Sequence, residues 1–359
     1  MIQKLLRENI ANLKPYSSAR NEFTGVASVY LDANEHYRDF VDTPEANRYP
    51  DPRATILRRK IEEVLGLPFE HTVLGSGSDE VIDNLIRATC TPGKDSILIL
   101  PPTYGAYKVF ADINDVKVSE VPLLPSFAID FPALEQFLTE EKSDRSEGRL
   151  KLLFLCSPNN PTGNSYSLEE IESVLNLFDG LVVVDEAYYD FSEKESAVSL
   201  LSKYEYLVVL RTLSKAWGLA SARVGIGVGC IDLVEVINKI KYPYNLGSPA
   251  QNLALKALGN AEAVRQSLEE VTEERERLSK SFSEFEFVYE VYPSDANFLL
   301  LRVDDANRLY TFLTQSGTII RNRTRERGLE NCVRITVGSK DENDSLLLGF
   351  EAYMRNYYA

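Results

Sequence analysis

Histidine is scarce in this chain, and its scarcity limits the chemistry to be expected. The 359 residues include two histidines, His36 and His71, and neither belongs to an H-E-x-x-H motif. Transition metals in proteins are held mainly by histidine and cysteine, so we expect no metal site. A serine–histidine triad would have to use one of these two rings. The chemistry is therefore expected to depend on other side chains.

Cysteine is also sparse. The four cysteines are scattered and form no C-x-x-C pair. A disulfide framework needs many cysteines at regular spacings, so we expect reduced cysteines packed as small core residues. Such cysteines are typical of proteins in a reducing compartment.

Long apolar runs and basic clusters are missing as well. No run of about 18 apolar residues occurs, which predicts that nothing spans a membrane. Charges at Lys4, Arg7 and Glu8 interrupt the N-terminal segment too early for a signal peptide, and we expect a cytoplasmic protein. The chain carries 39 Lys and Arg against 54 Asp and Glu, a net charge of −15, and this balance argues against a nucleic-acid partner.

The composition is that of a globular protein with a sizeable core, since 44% of the residues are hydrophobic and 26% are charged. The length indicates two domains or one large one. Helix-like and strand-like segments alternate from about residue 55, which predicts an α/β fold with a mostly parallel, doubly wound sheet. Short apolar runs typical of buried parallel strands lie at 96–100, 152–156, 181–184 and 206–210.

The pattern changes after about residue 246. A long charged helix is expected over roughly 264–285, followed by strands near 288–292, 297–302 and 332–337 that alternate with helices near 305–315 and 341–357. This indicates a smaller α+β domain. We therefore predict an N-terminal arm at 1–45 that belongs to the small domain, a large domain at 46–246 and a small C-terminal domain at 247–359.

A glycine–serine loop precedes a helical pattern at residues 74–80, Leu-Gly-Ser-Gly-Ser-Asp-Glu. Such a loop at the start of a helix can cradle a phosphate, because the first backbone amides of a helix are free to donate. It lacks the Lys-Ser/Thr pair of a P-loop and the third glycine of a dinucleotide-binding fingerprint. The alternative is a plain turn with Ser78 as the N-cap.

Three further segments each follow a predicted strand, at the edge where open α/β sheets bind their ligands. They are Ser157-Pro158-Asn159-Asn160-Pro161-Thr162-Gly163, Asp185-Glu186-Ala187-Tyr188-Tyr189 and the stretch 211–225, which contains Ser214-Lys215 and Arg223. Together with the glycine–serine loop they favour a ligand site at that edge.

From about residue 30 to the C-terminus, the chain resembles the pyridoxal-phosphate-dependent aminotransferases of fold type I, class II. That resemblance implies a large domain with a doubly wound sheet, a smaller α+β domain and pyridoxal 5'-phosphate as cofactor. The other shared motifs are Pro15-Tyr16, Ser18-Ala19-Arg20, Asn34-Glu35, Asn47-Arg48-Tyr49-Pro50-Asp51-Pro52, Pro102-Thr103-Tyr104-Gly105 and Val333-Arg334-Ile335-Thr336-Val337-Gly338.

The resemblance implies specific roles around the cofactor ring. A lysine amine can hold an aldehyde cofactor as a Schiff base and later move protons, which is the role implied for Lys215. A carboxylate facing the pyridine nitrogen keeps that nitrogen protonated, and Asp185 matches this position. By the same resemblance, Tyr188 and Asn160 hydrogen-bond the ring hydroxyl and Tyr104 stacks on the ring.

The cofactor phosphate requires hydrogen-bond donors and positive charge. The backbone amides of Ser78 and Asp79 and the side chains of Ser214 and Arg223 could supply them, with Thr212 as a weaker addition. In the family, the tyrosine of the Arg-Tyr-Pro-Asp motif reaches the phosphate from the neighbouring subunit. Tyr49 therefore implies a homodimer with shared active sites, although a tyrosine beside a proline turn is an alternative interpretation.

Substrate binding is expected to use arginines near the C-terminus. Strand alternation places Val333 and Ile335 on one face and Arg334 on the other, where its guanidinium can bind an anion with two hydrogen bonds. By resemblance, Arg334 binds the carboxylate of glutamate or the phosphate of histidinol phosphate, with Arg321, Tyr16 and Asn34 as companions. A solvated basic loop remains the alternative for Arg321.

The implied activity is amino transfer between histidinol phosphate and 2-oxoglutarate in histidine biosynthesis. Two positions depart from the family pattern: His36-Tyr37 replaces a common Asn-Pro pair, and Ala220-Ser221 replaces Ala-Gly. They bear on loop shape and substrate fit. The alternatives within the fold are an aromatic amino-acid aminotransferase and a threonine-phosphate decarboxylase, and outside catalysis a sensor built on the same fold.

Overall fold

A seven-stranded sheet is built from the first two thirds of the chain. The structure is a computed structural model that describes residues 2–14, 28–41, 46–143 and 148–358, without the side chains of 142 and 143. The strand order is β1-β7-β6-β5-β4-β2-β3, and β7 alone runs antiparallel to its neighbours. The strands are β1 Thr72–Ser76, β2 Ser96–Ile99, β3 Lys117–Glu120, β4 Leu150–Cys156, β5 Leu181–Asp185, β6 Leu207–Thr212 and β7 Val224–Val228.

Helices cover both faces of this sheet, which explains the continuous apolar runs of its central strands. In β4, Leu153 and Leu155 belong to the core on one face, and Leu152 and Phe154 belong to the core on the other. The helices of this part are α1 Glu8–Ala11, α2 Thr55–Leu65, α3 Ser78–Thr89, α4 Ala106–Ile113, α5 Phe131–Ser143, α6 Leu168–Leu177, α7 Ile231–Ile240 and α8 Ser248–Leu258.

A four-stranded antiparallel sheet follows, in the order β10-β11-β9-β8. Its elements are α9 Ala261–Phe282, β8 Val288–Val291, β9 Phe298–Val303, α10 Ala306–Gln315, β10 Arg321–Asn322, β11 Cys332–Thr336 and α11 Lys340–Tyr357. Residues of the three helices pack with Val333 and Ile335 of β11 in one core cluster. Because strand side chains alternate, Arg334 and Cys332 lie on the opposite face of β11.

The predicted fold class is confirmed: the first sheet is mostly parallel with helices on both faces, and a smaller sheet with helices follows. The four predicted apolar strands correspond to β2, β4, β5 and β6, and the long charged helix is α9. Strands β1, β3, β7 and β10 were not predicted.

The predicted domain boundaries at residues 46 and 247 stay predictions. At the start of the chain, Ile2 and Leu6 pack in a core layer of the seven-stranded sheet rather than on the smaller sheet. Of the helices that the structure describes, none has the length and apolar character needed to cross a membrane.

Candidate active site

The turn from β1 into α3 forms one end of a cleft. Gly77 caps α3 with a φ of 77°, and Ser78 is the first helical residue, so the alternative of Ser78 as N-cap is wrong. Among the residues that the structure describes, no side chain caps this helix, so its first amides can donate to a ligand. A Cβ atom at Gly225 would lie 2.0 Å from the backbone carbon of Gly77, so the adjoining strand approaches closely because Gly225 has no side chain.

Arg223 brings positive charge to this turn. Its Nη2 lies 3.2 Å from Oδ2 of Asp79, and its Nη1 lies 3.4 Å from Oγ of Ser214. The Ser214 amide donates to Oγ1 of Thr212 over 3.1 Å, which fixes the start of the lysine loop. Free helix amides, a hydroxyl and a guanidinium therefore surround one small space, a combination suited to a phosphate group.

Asp185 ends β5 in the floor of the cleft and is fully buried. Its Oδ2 accepts a hydrogen bond of 2.7 Å from the Tyr107 hydroxyl, and its Oδ1 accepts one of 3.1 Å from the Ala187 amide. Burial raises the pKa of Asp185 to about 6, and the two donors partly oppose that rise. A buried carboxylate without a cation in hydrogen-bond contact is expected to attract a positively charged group.

Tyrosine and asparagine side chains line the space above Asp185. Nδ2 of Asn160 lies 3.4 Å from the Tyr188 hydroxyl, and the Tyr104 hydroxyl donates to Oδ1 of Asp79 over 3.1 Å. Burial raises the pKa of Tyr188 to about 12, so its hydroxyl keeps its proton and can donate. These groups offer a polar edge and an aromatic face to a planar ring.

Lys215 reaches into the same space from the loop after β6. Its Nζ lies 5.4 Å from the centre of the Tyr188 ring. The surrounding protein lowers the pKa of Lys215 by desolvation, and the positive charge of Arg334 lowers it further. A lowered pKa increases the fraction of neutral amine, which is the nucleophilic form.

Three arginines from the smaller sheet line the other side of the cleft. Arg334 Nη1 donates to Oδ1 of Asn160 over 2.5 Å, and Arg323 Nη2 donates to the same oxygen over 3.4 Å. Arg321 pairs with Arg334 in register across β10 and β11. The Nε atoms of Arg323 and Arg334 are buried without a hydrogen-bond partner within the described chain. Such unsatisfied donors are suited to bind an anion.

The cleft between the two sheets has a volume of about 380 Å³, within the range of small-molecule sites. It gathers almost all of the predicted cofactor residues and two of the predicted substrate residues. These are Ser78, Asp79, Tyr104, Asn160, Asp185, Tyr188, Thr212, Ser214, Lys215, Arg223, Arg321 and Arg334.

Three predicted residues lie elsewhere. Tyr49 is exposed and its ring stacks on Tyr244 at a centroid distance of 4.6 Å. Asn34 is exposed with a φ of 55°, and neither it nor Tyr49 lines the cleft of this chain. Tyr16 lies outside the described residues. The roles of these three side chains stay predictions.

Sequence reasoning missed Arg323, which lines the cleft, and Tyr107, which lies beneath the cleft and contacts Asp185. Tyr107 lies in the first turn of α4, three residues after Tyr104, which precedes the helix, and no motif in the sequence marked it. Arg323 lies two residues after Arg321, and strand alternation predicts that the two share a face. The sequence predicts no metal site because histidine and cysteine are scarce. Among the residues that the structure describes, no group of three or more potential metal ligands occurs.

The chain belongs to the class I and II aminotransferases, whose family model matches residues 18–349. This class agrees with the fold and with the lysine and aspartate that meet in the cleft. These residues also fit pyridoxal phosphate, because the first amides of α3, Ser214 and Arg223 converge on one space and, among the described residues, no cation is hydrogen-bonded to Asp185.

Within that class, the chain belongs to the histidinol-phosphate aminotransferase family. It is 45% identical to the histidinol-phosphate aminotransferase of Christiangramia forsetii over 98% of this chain and 97% of that protein. It is also 45% identical to that of Cytophaga hutchinsonii, over 98% of this chain and 99% of that protein.

Solved structures of aminotransferases share the fold of this chain. The histidinol-phosphate aminotransferase of Clostridium acetobutylicum superposes with a TM-score of 0.77 at 25% identity, covering 86% of this chain and 91% of that one. The Sinorhizobium meliloti enzyme, solved in complex with pyridoxal-5'-phosphate, has the same fold, with a TM-score of 0.77 at 21% identity over 86% of this chain and 83% of that one.

Proposed function

We propose that the chain transfers an amino group between histidinol phosphate and 2-oxoglutarate, forming imidazole-acetol phosphate and glutamate, with pyridoxal 5'-phosphate as cofactor. The observation that carries this proposal is one cleft in which Lys215 and Asp185 face a group of three arginines. The names of the 45% identical relatives support the same reaction.

Bound pyridoxal phosphate would supply an aldehyde that receives the amino group and a protonated ring that accepts electrons. Asp185 would keep the ring nitrogen protonated through its negative charge. Asn160 and Tyr188 would hydrogen-bond the ring hydroxyl, and Tyr104 would pack on the ring face. The cofactor phosphate would be held by Arg223 together with the amides and hydroxyls of the neighbouring residues, Ser78, Asp79, Thr212 and Ser214.

The position of Lys215 and the downward shift of its pKa support a role in proton transfer. Its amine would hold the cofactor in the resting enzyme and, once displaced by the substrate amine, would carry a proton between the substrate carbon and the cofactor. Desolvation and Arg334 lower the pKa of Lys215 toward the operating pH, which is the condition under which a general base works best.

The arginines support an anionic substrate with two negative charges. Arg323 forms an ion pair with Glu326 over 2.6 Å, and within the described part of the chain neither Arg321 nor Arg334 contacts a carboxylate. Two positive charges therefore remain. A phosphate monoester carries about −1.5 to −2 charges near pH 7, which matches this excess. The carboxylate of glutamate would bind at Arg334 in the second half of the reaction.

We also propose that the enzyme acts in the cytoplasm as a homodimer with shared sites, with Tyr49 reaching the cofactor phosphate of the neighbouring subunit. The exposed Tyr49 side chain and its neighbours in the chain support this arrangement, because several large apolar side chains there face solvent in the single chain. They are Val29, Leu31, Tyr37, Phe40, Val41 and Ile56. Exposed apolar surface of this kind is typical of an interface.

The reaction can be tested one half at a time. Purified enzyme carrying pyridoxal phosphate is mixed with histidinol phosphate, phenylalanine, glutamate or threonine phosphate, each without a second substrate. Absorption spectra follow conversion of the cofactor from its aldehyde to its amine form, and carbon dioxide release is measured in parallel. We expect fast conversion with histidinol phosphate and with glutamate.

Each other result assigns a different activity. Faster conversion with phenylalanine than with histidinol phosphate would indicate an aromatic amino-acid aminotransferase. Carbon dioxide release from threonine phosphate would indicate a decarboxylase. Binding of histidinol phosphate without conversion by any of the four compounds would indicate a non-catalytic sensor.

A further inference from the structure

Tyr107 makes a direct contact with Asp185 from below the cleft. Tyr107 is fully buried in α4, and its ring stacks on Phe154 at a centroid distance of 4.6 Å and meets Tyr104 edge-on at 5.4 Å. Its hydroxyl donates to Oδ2 of Asp185 over 2.7 Å. Burial raises the pKa of Tyr107 well above its usual value, so the hydroxyl keeps the proton that it donates.

This hydroxyl is one of two groups that fix the Asp185 carboxylate. The Ala187 amide reaches Oδ1, and within the described residues no third hydrogen bond reaches the carboxylate. The Ala187 donor belongs to the backbone next to Asp185 itself, so it cannot be removed by a side-chain change. Tyr107 is therefore the side chain that satisfies and orients this buried charge.

Other groups near Asp185 do not replace this contact. These neighbours are Asp79 of α3, Tyr104 before α4, Cys156 of β4, Glu186 and Tyr188 after β5, and Lys215 after β6. Tyr104, Tyr188 and Cys156 have raised pKa values and stay neutral. Asp79 and Glu186 raise the pKa of Asp185 further, and Lys215 makes no hydrogen bond to Asp185 within the described residues.

We propose that Tyr107 is a positioning residue for the reaction: its hydroxyl keeps Asp185 ionised and holds the carboxylate in the orientation that faces the pyridine nitrogen. The inference rests on the proposed function, in which this cleft binds pyridoxal phosphate. It assigns to a residue outside the cleft lining a role in cofactor affinity, exerted through Asp185.

The direction of the effect follows from the hydrogen bond. Donation to a carboxylate stabilises its charged form, so loss of the hydroxyl raises the pKa of Asp185 above its already raised value of about 6. A protonated carboxyl must lose its proton before it can face a protonated ring nitrogen. Cofactor affinity therefore falls as the pH drops below the pKa of Asp185, and this decline begins at a higher pH without the hydroxyl.

The test compares the full-length wild-type protein with Tyr107→Phe, which removes the hydroxyl and keeps the ring. The dissociation constant of pyridoxal phosphate is measured by spectroscopic titration from pH 5 to pH 9. The matched control is Tyr166→Phe, which removes the hydroxyl of another buried tyrosine whose Oη donates to the Phe127 carbonyl at 3.3 Å. The double variant Tyr107→Phe/Asp185→Asn shows whether the effect passes through Asp185.

We expect Tyr107→Phe to weaken cofactor binding about tenfold near neutral pH. The pH below which cofactor affinity falls should rise by about one unit. Tyr166→Phe should leave the decline where it is in the wild type. The double variant Tyr107→Phe/Asp185→Asn should bind pyridoxal phosphate as tightly as the single variant Asp185→Asn.

Two results would overturn the role. The first is a Tyr107→Phe variant whose affinity for pyridoxal phosphate declines at the same pH as that of the wild type. The second is a loss of affinity on removing the hydroxyl that is as large in the Asp185→Asn background as in the wild type. Either result would show that Tyr107 only fills the core. If the wild-type protein itself binds no pyridoxal phosphate, the proposed function fails first and the positioning role fails with it.

Discussion

At the scale of single residues, the surroundings of Lys215 support its proposed role in the cleft. The amine lies over the Tyr188 ring, and desolvation, together with the charge of Arg334, lowers its pKa. A solvated surface lysine has neither feature. The local environment, rather than the residue type alone, therefore makes Lys215 the candidate nucleophile and proton carrier.

Replacing Lys215 with Ala removes the amine that holds the cofactor and moves the proton. We expect turnover to fall by at least about 10²–10⁴-fold, the usual contribution of general acid–base catalysis, and the absorption of the protein-bound cofactor to change. Steady-state assays and spectra of the purified variant measure both. Lys256→Ala, at an exposed lysine outside the cleft, should behave as wild type. Retained turnover in Lys215→Ala would refute the assignment.

Arg323 should affect phosphorylated substrates more than unphosphorylated ones. Arg323 is paired with Glu326, but its buried Nε has no hydrogen-bond partner within the described residues, so it can add a donor beside Arg334. A hydrogen bond between charged groups contributes roughly 1.5–3 kcal/mol. We expect Arg323→Gln to lower kcat/KM for histidinol phosphate by about 10- to 100-fold and for phenylalanine much less.

A matched control for that change is Arg325→Gln, which removes the same charge at an exposed residue outside the cleft lining. It should leave kcat/KM for both substrates close to the wild-type values. Equal losses for histidinol phosphate and phenylalanine in Arg323→Gln would mean that Arg323 does not recognise the phosphate. Inhibition by inorganic phosphate gives an independent measure, and it should weaken in Arg323→Gln alone.

At the scale of elements, the phosphate cradle depends on how closely β7 packs against the turn between β1 and α3. A Cβ atom at Gly225 would meet the Gly77 carbon at 2.0 Å and the Ser78 nitrogen at 2.1 Å. These are backbone atoms, so no side chain can rotate away. The two elements must separate if Gly225 gains a methyl group, and the free amides of α3 then shift.

Gly225→Ala should therefore reduce both stability and cofactor affinity. We expect the free energy of unfolding to fall by about 1–3 kcal/mol, as is usual for an overpacked site. Urea denaturation measures the stability, and titration with pyridoxal phosphate measures the affinity. Gly105→Ala is the control, because a Cβ atom there meets no heavy atom within 4 Å. Unchanged values in Gly225→Ala would contradict the close approach of β7.

At the scale of the whole molecule, the site exists only where the two sheets meet. Asn160 follows β4 of the large sheet and accepts hydrogen bonds from Arg323 and Arg334. Arg323 follows β10 of the small sheet, and Arg334 lies in β11. The large sheet carries the groups that suit the cofactor, and the small sheet carries the arginines that suit the substrate. The proposed amino transfer requires both groups, and the structure brings them together in one cleft.

The proposed dimer can be tested by mixing a Lys215→Ala variant with a Tyr49→Phe variant, in which we expect reduced activity. If Tyr49 acts on the neighbouring subunit, a Lys215→Ala chain can lend its Tyr49 to the site of a Tyr49→Phe chain. Co-refolded or co-expressed variants should then exceed the summed activity of the two separate proteins, because each mixed dimer contains one complete site. Activity no greater than that sum, with mixed dimers demonstrated by mass, would show that Tyr49 does not act across subunits.

The sequence by itself determined the central strands and the motifs at their ends. Because β4 and β5 are covered on both faces, their apolar runs were visible without a structure, and the residues after them could be placed at one edge of a parallel sheet. Strands β1, β3, β7 and β10 escaped prediction, since they are short or rich in glycine and their pairing depends on partners elsewhere in the chain.

Only the tertiary structure decided which side chains serve the candidate residues. Tyr107 lies 78 residues from Asp185 along the chain, and Arg323 lies 163 residues from Asn160, yet each pair is in hydrogen-bond contact. Spacing along a helix or strand can say which residues share a face, as it does for Val333 and Ile335 of β11. It cannot say what that face will meet, because contacts between distant segments are set by the packing of whole elements against one another.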